Sequence, residues 1–525
     1  MSSRHCSFFA AIVLCAPLLG AQTKLTTFSG TASGDLLGQH VAGAGDVDGD
    51  GTPELLISGW NDGGTPGSAL VSGATLLPLA VFPGRNSVAG VGDVDGDGVN
   101  DIAVGGGPAN IVVYSGQSLL PLWSDNAPVS YFGFACAGAG DVDGDGLPDV
   151  IVGSGTDDFF DAGGDTFRVS RGLDGSTWHE VNWFNPFDFP AGMGWAVAAY
   201  RDVDSDRFDE YLVGVPFASA VTGPAGTDHL THTGHVRVYD GATGNVIQTW
   251  AGDHSGDALG WSVSSGGDLD GDGLHDVVAG TGGNAFSNPM YVRAWSAADA
   301  TELWTFSGVG TGPMVVDTLE DLDGDDCADV LVGSSRDASV WVLSGRTGAI
   351  LFTLVGDDQF GDAVAAVGDV DGDGREDFLV GNWLAGPPAT GKAHLYSGRP
   401  EPFTDLHGGL GGSLGVEPKL RGIGTLEPGS SGELRLRDAL PNQTGLLFFD
   451  VVIADLPFLG GVLVPGVGFP PLPLVTDSSG KAVLPWASWP AAVPSYSKIF
   501  AQAWIADSGA PYGAAASPAL QFWTP

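Results

Sequence analysis

DVDGDGTPE, at Asp46–Glu54, is the stretch that decides how this 525-residue chain is read. The nonapeptide returns six times, beginning at Asp93, Asp141, Asp202, Asp268, Asp321 and Asp369. Every copy carries acids at positions 1, 3, 5 and 9. An apolar run follows each at once: LLIS, IAVG, VIVG, YLVG, VVAG, VLVG and FLVG.

Carboxylates at alternate positions repel one another, so such a loop needs a cation to fold. Oxygen ligands select a hard ion, and a flexible site built mostly by protein suits Ca²⁺ better than Mg²⁺. The side-chain ligands read from the spacing are Asp46, Asp48, Asp50 and Glu54; Asp93, Asp95, Asp97 and Asp101; Asp141, Asp143, Asp145 and Asp149; Asp202, Asp204, Asp206 and Glu210; Asp268, Asp270, Asp272 and Asp276; Asp321, Asp323, Asp325 and Asp329; Asp369, Asp371, Asp373 and Asp377. Position 7 adds a backbone carbonyl, from Thr52, Val99, Leu147, Phe208, Leu274, Cys327 and Arg375. Up to seven Ca²⁺ are expected. Glycine at position 6 (Gly51, Gly98, Gly146, Gly273, Gly374) permits the sharp turn. Ser205, Arg207 and Asp326 replace glycine in two copies, which are expected to be the weakest or most distorted. An EF-hand begins in the same way but requires a bidentate Glu at position 12 and flanking helices. Position 12 here is Ile57, Val104, Val152, Val213, Ala279, Val332 or Val380, which are strand-core residues.

The formal net charge is −43, and roughly half of the 63 acids lie in the nonapeptides. What remains argues against nucleic acid or an anionic membrane as partner. Residues 1–21 read as a secretory signal peptide, with Arg4 and His5 ahead of the apolar FFAAIVLCAPLLG. No later stretch is long and apolar enough for a transmembrane helix. The mature chain is expected to be secreted or at the cell surface, where abundant calcium fills even weak sites. Cys136 and Cys327 fall in different repeats, so no disulfide is expected. With 84 glycines, many short apolar runs and no sustained helical period, the chain reads as all-β.

The loops recur at intervals of 47, 48, 61, 66, 53 and 48 residues, which reads as one propeller blade per unit. Small residues lead into each loop, as in GQHVAGAG, FGFACAGAG and FGDAVAAVG. A pattern of FG, small residues, GD, acidic loop and apolar strand resembles the FG-GAP repeat of integrin α heads and bacterial secreted proteins. The dipeptide stands as Phe132-Gly133 and Phe360-Gly361, and more weakly as Leu37-Gly38, Met193-Gly194 and Leu259-Gly260. The resemblance implies a seven-bladed β-propeller over 22–398, with calcium ligands at loop positions 1, 3, 5, 7 and 9. Lys24–Phe28 resembles a fourth strand yet precedes the first loop, so it is expected to complete the seventh blade. The inner strands, rich in Ala and Gly, leave few acids, bases or nucleophiles for the central channel. Residues 399–411 read as a linker, and 412–525, with apolar runs between turns, as a small β-sandwich.

Two long intervals hold the exceptions. Phe159, Phe160, Trp178, Trp183, Phe184, Phe187 and Phe189 read first as a satellite core and second as an exposed platform for sugars or a partner. His229, His232 and His235, beside Asp228, read as a polar loop running into a strand rather than a metal site, because their spacing alternates faces. No H-E-x-x-H or phosphate-binding glycine loop occurs, and no catalytic residue is assigned. The leading expectation is a calcium-binding adhesion module for an extracellular glycan or protein. The alternatives are a polysaccharide-acting enzyme, with His179 and Glu180 the residues to mutate, and a purely structural surface component.

Overall fold

The structure is a computed structural model. It describes residues 22–523 apart from 62–66, 107–110, 128–130, 156–164, 184–190, 223–227, 231, 284–289, 308–311, 324, 358, 373, 401–402, 406–408, 414, 416, 425, 427–431, 460, 489, 491–497 and 511. Residues 1–21, read as a signal peptide, lie outside this set, as do Asp373, Phe159, Phe160, Phe184, Phe187, Phe189 and the side chains of Trp183, Asp228 and His229. Among the described residues no helix is long and apolar enough to cross a membrane.

Each acidic nonapeptide joins the first strand of an antiparallel sheet to the second. In the first repeat, Val41–Gly45 runs into the loop and Glu54–Trp60 runs out of it. Gly67–Val71 and Pro78–Phe82 then complete the sheet. The second strands are apolar and buried on both faces, which is why they read as unbroken LLIS or VIVG runs rather than as alternation. Position 12 of every loop falls there with 0% exposure, which leaves an EF-hand no ligand. Among the described residues seven such four-stranded sheets form. Their inner strands are Val41–Gly45, Ser87–Gly92, Ala135–Gly140, Ala196–Tyr200, Leu259–Ser264, Val315–Leu319 and Ala363–Gly368, and each packs on the next, the last returning to the first. This is an all-β propeller.

The small inner-strand residues are a packing requirement. A Cβ on Gly90 would come within 2.7 Å of the Gly43 carbonyl oxygen, and one on Gly138 within 3.2 Å of that of Val91. Asp317 is one of the few acids on the inner strands. Asp317, on the sixth inner strand, accepts the Ser264 hydroxyl at 2.9 Å and the Ala366 N–H at 3.0 Å. It thereby ties three neighbouring blades through one carboxylate, a stronger acceptor than a neutral group.

Tryptophans hold consecutive blades together on the outside. The indole N–H groups of Trp123, Trp178, Trp250 and Trp304 donate to the carbonyls of Gly172, Gly241, Ala300 and Gly345, at 2.6, 3.0, 3.2 and 2.5 Å. Each acceptor sits in the turn after the third strand of the following blade. Trp178 is thus half-buried and packed against the core, and Arg171 lies over its ring at 4.7 Å.

The chain closes on itself. Gln22–Ser29 pairs antiparallel with Lys392–Pro400, bringing Lys24 opposite Tyr396 and Phe28 opposite Ala393. Phe28 joins the core with Leu37, Leu379 and Leu395, and Thr27 Oγ1 lies 2.9 Å from His394 Nδ1. A strand from the start of the chain therefore covers what would be an open sheet edge.

Beyond this ring, Lys498–Ala506 is the centre of a second sheet, flanked by Thr444–Asp450 and Leu520–Trp523. A three-stranded sheet of Lys419–Gly424, Gly432–Arg437 and Ala482–Trp486 contributes Leu420, Leu434 and Leu436 to the same cluster as Leu447, Ala501 and Phe522. Two sheets sharing one core make a sandwich. Phe403–Asp405, inside the stretch read as a linker, pairs with Leu520–Trp523 and belongs to that sheet. Cys136 and Cys327 are free thiols.

Deleting residues 22–30 should abolish the cooperative calcium-loaded melting transition followed by circular dichroism. An unchanged melt would show that closure does not depend on this strand.

Candidate metal centre

The loops share one internal hydrogen-bond scheme. The position 1 carboxylate accepts the N–H of position 6, as Asp46 Oδ2 does from Gly51 at 3.0 Å and Asp268 Oδ2 from Gly273 at 2.7 Å. Position 3 accepts from position 5, and position 5 from position 7, as in Asp48–Asp50 at 3.1 Å and Asp50–Thr52 at 2.9 Å. These bonds curl the chain so that its acids face inward. Carboxylate oxygens of Asp46, Asp48 and Asp50 lie within 4.8 Å of one another; so do those of Asp93, Asp95 and Asp101, of Asp141, Asp143 and Asp149, of Asp268, Asp270 and Asp276, and of Asp202, Asp204, Asp206 and Glu210. In the sixth loop, Asp321 and Asp325 stand close enough to Asp323 to help burial raise its pKa.

The turn needs positive φ at positions 4 and 6, as at Gly49 (77°) and Gly51 (92°). Ser205 (66°), Arg207 (82°) and Asp326 (64°) adopt it without being glycine. The two loops expected to be distorted therefore keep the scheme, with Arg207 and Asp326 donating to position 1 at 3.0 and 2.9 Å. The departure costs backbone strain, about 1–2 kcal/mol per residue, rather than geometry. The fourth loop gathers four carboxylates.

Position 9 is where burial concentrates. Glu54, Asp101, Asp149, Glu210, Asp276, Asp329 and Asp377 are each at most 1% exposed. One oxygen of each accepts the N–H of position 2, at 2.5–3.0 Å. In four blades the other oxygen accepts an N–H from the turn after the third strand, from Gly116, Gly172, Ala297 and Gly345, and in the seventh it accepts one from Gly398, near the end of the strand Lys392–Pro400. Glu210 Oε1, by contrast, is buried with no hydrogen-bond partner. An orphaned carboxylate oxygen beside three further acids fits a cation, since leaving it bare inside the protein is costly. The donor set, oxygen throughout, fits calcium. Burial, with the neighbouring loop carboxylates, pushes Asp101 and Asp276 up to about 6, Asp149 and Asp377 to about 7, and Glu210 and Asp329 to about 8.

The sequence reading missed two features. Position 8 packs against the blade before it: Pro148 lies where a Cβ on Gly92 would stand, Pro53 does the same at Gly368, and Asp209 Oδ2 accepts the Asp141 N–H at 2.9 Å. Position 7 side chains also reach back, with the Phe208 ring against Gly144 and Arg375 Nη1 donating to the Asp321 carbonyl. The loops are thus mutual neighbours around one face. Arginines stand beside two of them, Arg171 Nε 2.6 Å from Asp143 and Arg346 Nε 3.3 Å from Asp325.

The other singled-out residues have structural partners. His179 Nδ1 lies 3.3 Å from the Tyr211 hydroxyl, and Glu180 pairs with Arg168 at 3.0 Å, on the outer strand of the third blade. His232 meets Phe217 edge-on, and His235 starts the strand His235–Tyr239.

Comparison with known proteins agrees with this geometry. A model described as FG-GAP-like repeat matches residues 93–152, and one described as FG-GAP repeat matches 259–292. Integrin alpha-8 of Mus musculus is 30% identical over 162 residues, covering 27% of this chain and 15% of that protein. Integrin alpha-4 of Xenopus laevis is 28% identical over 192 residues, covering 33% and 18%. Integrin alpha-PS2 of Drosophila melanogaster is 29% identical over 167 residues, covering 27% and 12%. The chain thus spans less than a fifth of the length of these relatives.

Arg207→Gly should raise stability by about 1 kcal/mol and tighten calcium at the fourth loop, because it relieves a positive φ and removes a cation; calorimetric titration against the parent checks this. The raised acids also set a pH dependence. A carboxyl with a higher pKa folded than unfolded stabilises the fold while protonated and loses that contribution as pH rises through the folded value. His40, His235 and His394, held near 4 by burial, have the opposite trend, but it flattens above the ordinary imidazole pKa of about 6.5 and is outweighed there by the four acids raised to about 7 and 8. In EDTA, Tm should therefore fall between pH 6.5 and 8.5, and in millimolar calcium it should not. A Tm in EDTA that rises across that window contradicts the assignment.

Proposed function

We propose that this FG-GAP-repeat β-propeller is a secreted, calcium-loaded binding module for an extracellular glycan or protein. The convergence of carboxylates in the loops carries the calcium part. Positions 1, 3, 5 and 9 of each loop hold the ion with side-chain oxygen and position 7 with its carbonyl, Asp373 and Arg375 included. Calcium supplies charge neutralisation and cross-links loop to strand. It does no chemistry on a bound molecule.

The binding part rests on the similarity to integrin alpha chains and on the division of the ring into two faces. One face is occupied by the loops. The other carries the starts of the inner strands, with the side chains that follow the FG-like dipeptides, and a rigid scaffold usually carries recognition where its side chains vary. The enzyme alternative draws no support from His179 and Glu180, whose side chains are engaged by Tyr211 and Arg168. Export is the role proposed for residues 1–21.

The test is co-sedimentation of the mature protein with insoluble polysaccharides and matrix proteins, in calcium and in EDTA, with released sugar and peptide measured in the supernatant. Calcium-dependent pelleting without product is expected. Released product would replace the binding reading with an enzymatic one, and no pelleting on any surface would leave the structural role.

A further inference from the structure

At the mouth of the central channel, on the face opposite the acidic loops, lies a cavity of about 370 Å³ lined by the starts of all seven inner strands. The side chain immediately after each FG-like dipeptide stands at its wall: Gln39, Phe134, Trp195, Trp261 and Asp362. A weak sequence motif therefore places a variable residue on the axis five times.

The wall has two kinds of surface. On one side Phe134, Trp195 and Trp261 form a half-buried aromatic arc. Ring centroids are 5.0 Å apart between Phe134 and Trp195 and 4.6 Å between Trp195 and Trp261, with interplanar angles of 49° and 46°. Phe217 backs the arc, edge-on to Trp195 at 5.3 Å. On the other side stand Gln39, His40 and Asp362. The His40 imidazole and the Gln39 amide have no side-chain hydrogen-bond partner among the described residues, while the His40 N–H is fixed by the Ser58 hydroxyl at 2.8 Å. Burial holds His40 near 4, so at neutral pH it offers one donor and one acceptor. The Asp362 carboxylate is bonded by the Ser335 side chain.

We propose that this axial cavity binds a neutral sugar, one pyranose face stacking on Trp195 and Trp261 and its hydroxyls bonding His40, Gln39 and Asp362. This deepens the binding-module reading and rests on it for the glycan class alone. A pyranose pairs an apolar C–H face with a rim of hydroxyls that both donate and accept, which matches an aromatic arc facing an amide, an imidazole and a carboxylate. A quaternary ammonium would favour rings closed around it, and would leave His40 and Gln39 unsatisfied. An acidic sugar would meet Asp362, with Asp317 further along the same channel. The volume lies at the small end of ligand cavities, roughly 300–1,000 Å³, which suits a terminal mono- or disaccharide unit rather than the middle of a polymer.

The test uses the full mature chain in millimolar calcium. Methyl glycosides of neutral hexoses, 6-deoxyhexoses and N-acetylhexosamines are titrated calorimetrically, with glucuronic acid, galacturonic acid and tetramethylammonium as counter-probes. At least one neutral glycoside is expected to bind and to shift the indole emission of the parent protein. Trp195→Ala and Trp261→Ala should weaken that binding about tenfold or more, while Trp195→Phe should retain part of it and His40→Ala should weaken it with the calcium-loaded melt unchanged. If no neutral glycoside binds, if a counter-probe binds in preference, or if the tryptophan and His40 variants bind as the parent does, the cavity is not a sugar site. Calcium-dependent pelleting with no neutral glycoside bound, or unchanged in Trp195→Ala and Trp261→Ala that also bind glycoside as the parent does, would overturn this inference and leave the binding-module reading standing. Glycoside binding with no pelleting on any surface would do the reverse.

Discussion

One buried carboxylate in each repeat, at position 9 of the acidic loop, is the junction through which the ring is held together. It closes the loop by accepting the position 2 N–H, and in four blades it also anchors the turn after the third strand. At Gly172 and Gly345 the same residues complete a longer path. Their N–H groups donate to Asp149 and Asp329, and their carbonyls accept Trp123 and Trp304 from the preceding blade. Loop, sheet and neighbouring blade thus meet at a single residue. A hydrogen bond to a charged acceptor contributes about 1.5–3 kcal/mol, so repeating the junction around the ring makes it a large part of a fold whose net stability is small. The arrangement carries an electrostatic penalty, because a desolvated acid stands beside other acids. A hard cation in the loop removes that penalty.

Most of the architecture was legible because the loop repeats in residue type. Acids at positions 1, 3, 5 and 9 stand out against an apolar strand, and the spacing of copies gives the blade. The closing strand was legible for a related reason: Lys24–Phe28 has the character of a fourth strand in a place where no blade has yet begun. What escaped is what the repeat does not conserve in type. Position 8 is Pro53, Asn100, Pro148, Asp209, His275, Ala328 or Glu376, and several of these only have to fill the space above a glycine of the preceding blade. The residue after each FG-like dipeptide is equally variable, and only the ring geometry shows that five of them share one wall. Asp317 went unread because a single acid in VVDTL gives no periodic signal, although three inner strands converge on it. Glycine at position 6 was read as a requirement of the turn. Arg207 and Asp326 show that the left-handed conformation is imposed by the surrounding hydrogen bonds even where the residue resists it.

The two faces divide the work. The loop face is built from near-identical units that contact one another through positions 7 and 8, which makes it uniform and stiff. The opposite face carries whatever follows the FG-like dipeptides, so it can vary without disturbing the junctions beneath. A ring closed by its own first strand has its seventh-blade edge covered, and side chains placed at strand starts inherit that rigidity.

Amide hydrogen exchange with mass-spectrometric readout, in calcium and after chelation, bears most directly on the claim that position 9 joins the acidic loops to the ring. The account predicts that chelation raises exchange in the loops and also at the distant turns holding Gly172 and Gly345, in step with the strands carrying Trp123 and Trp304. Faster exchange confined to the nonapeptides, with those turns still protected, would contradict it.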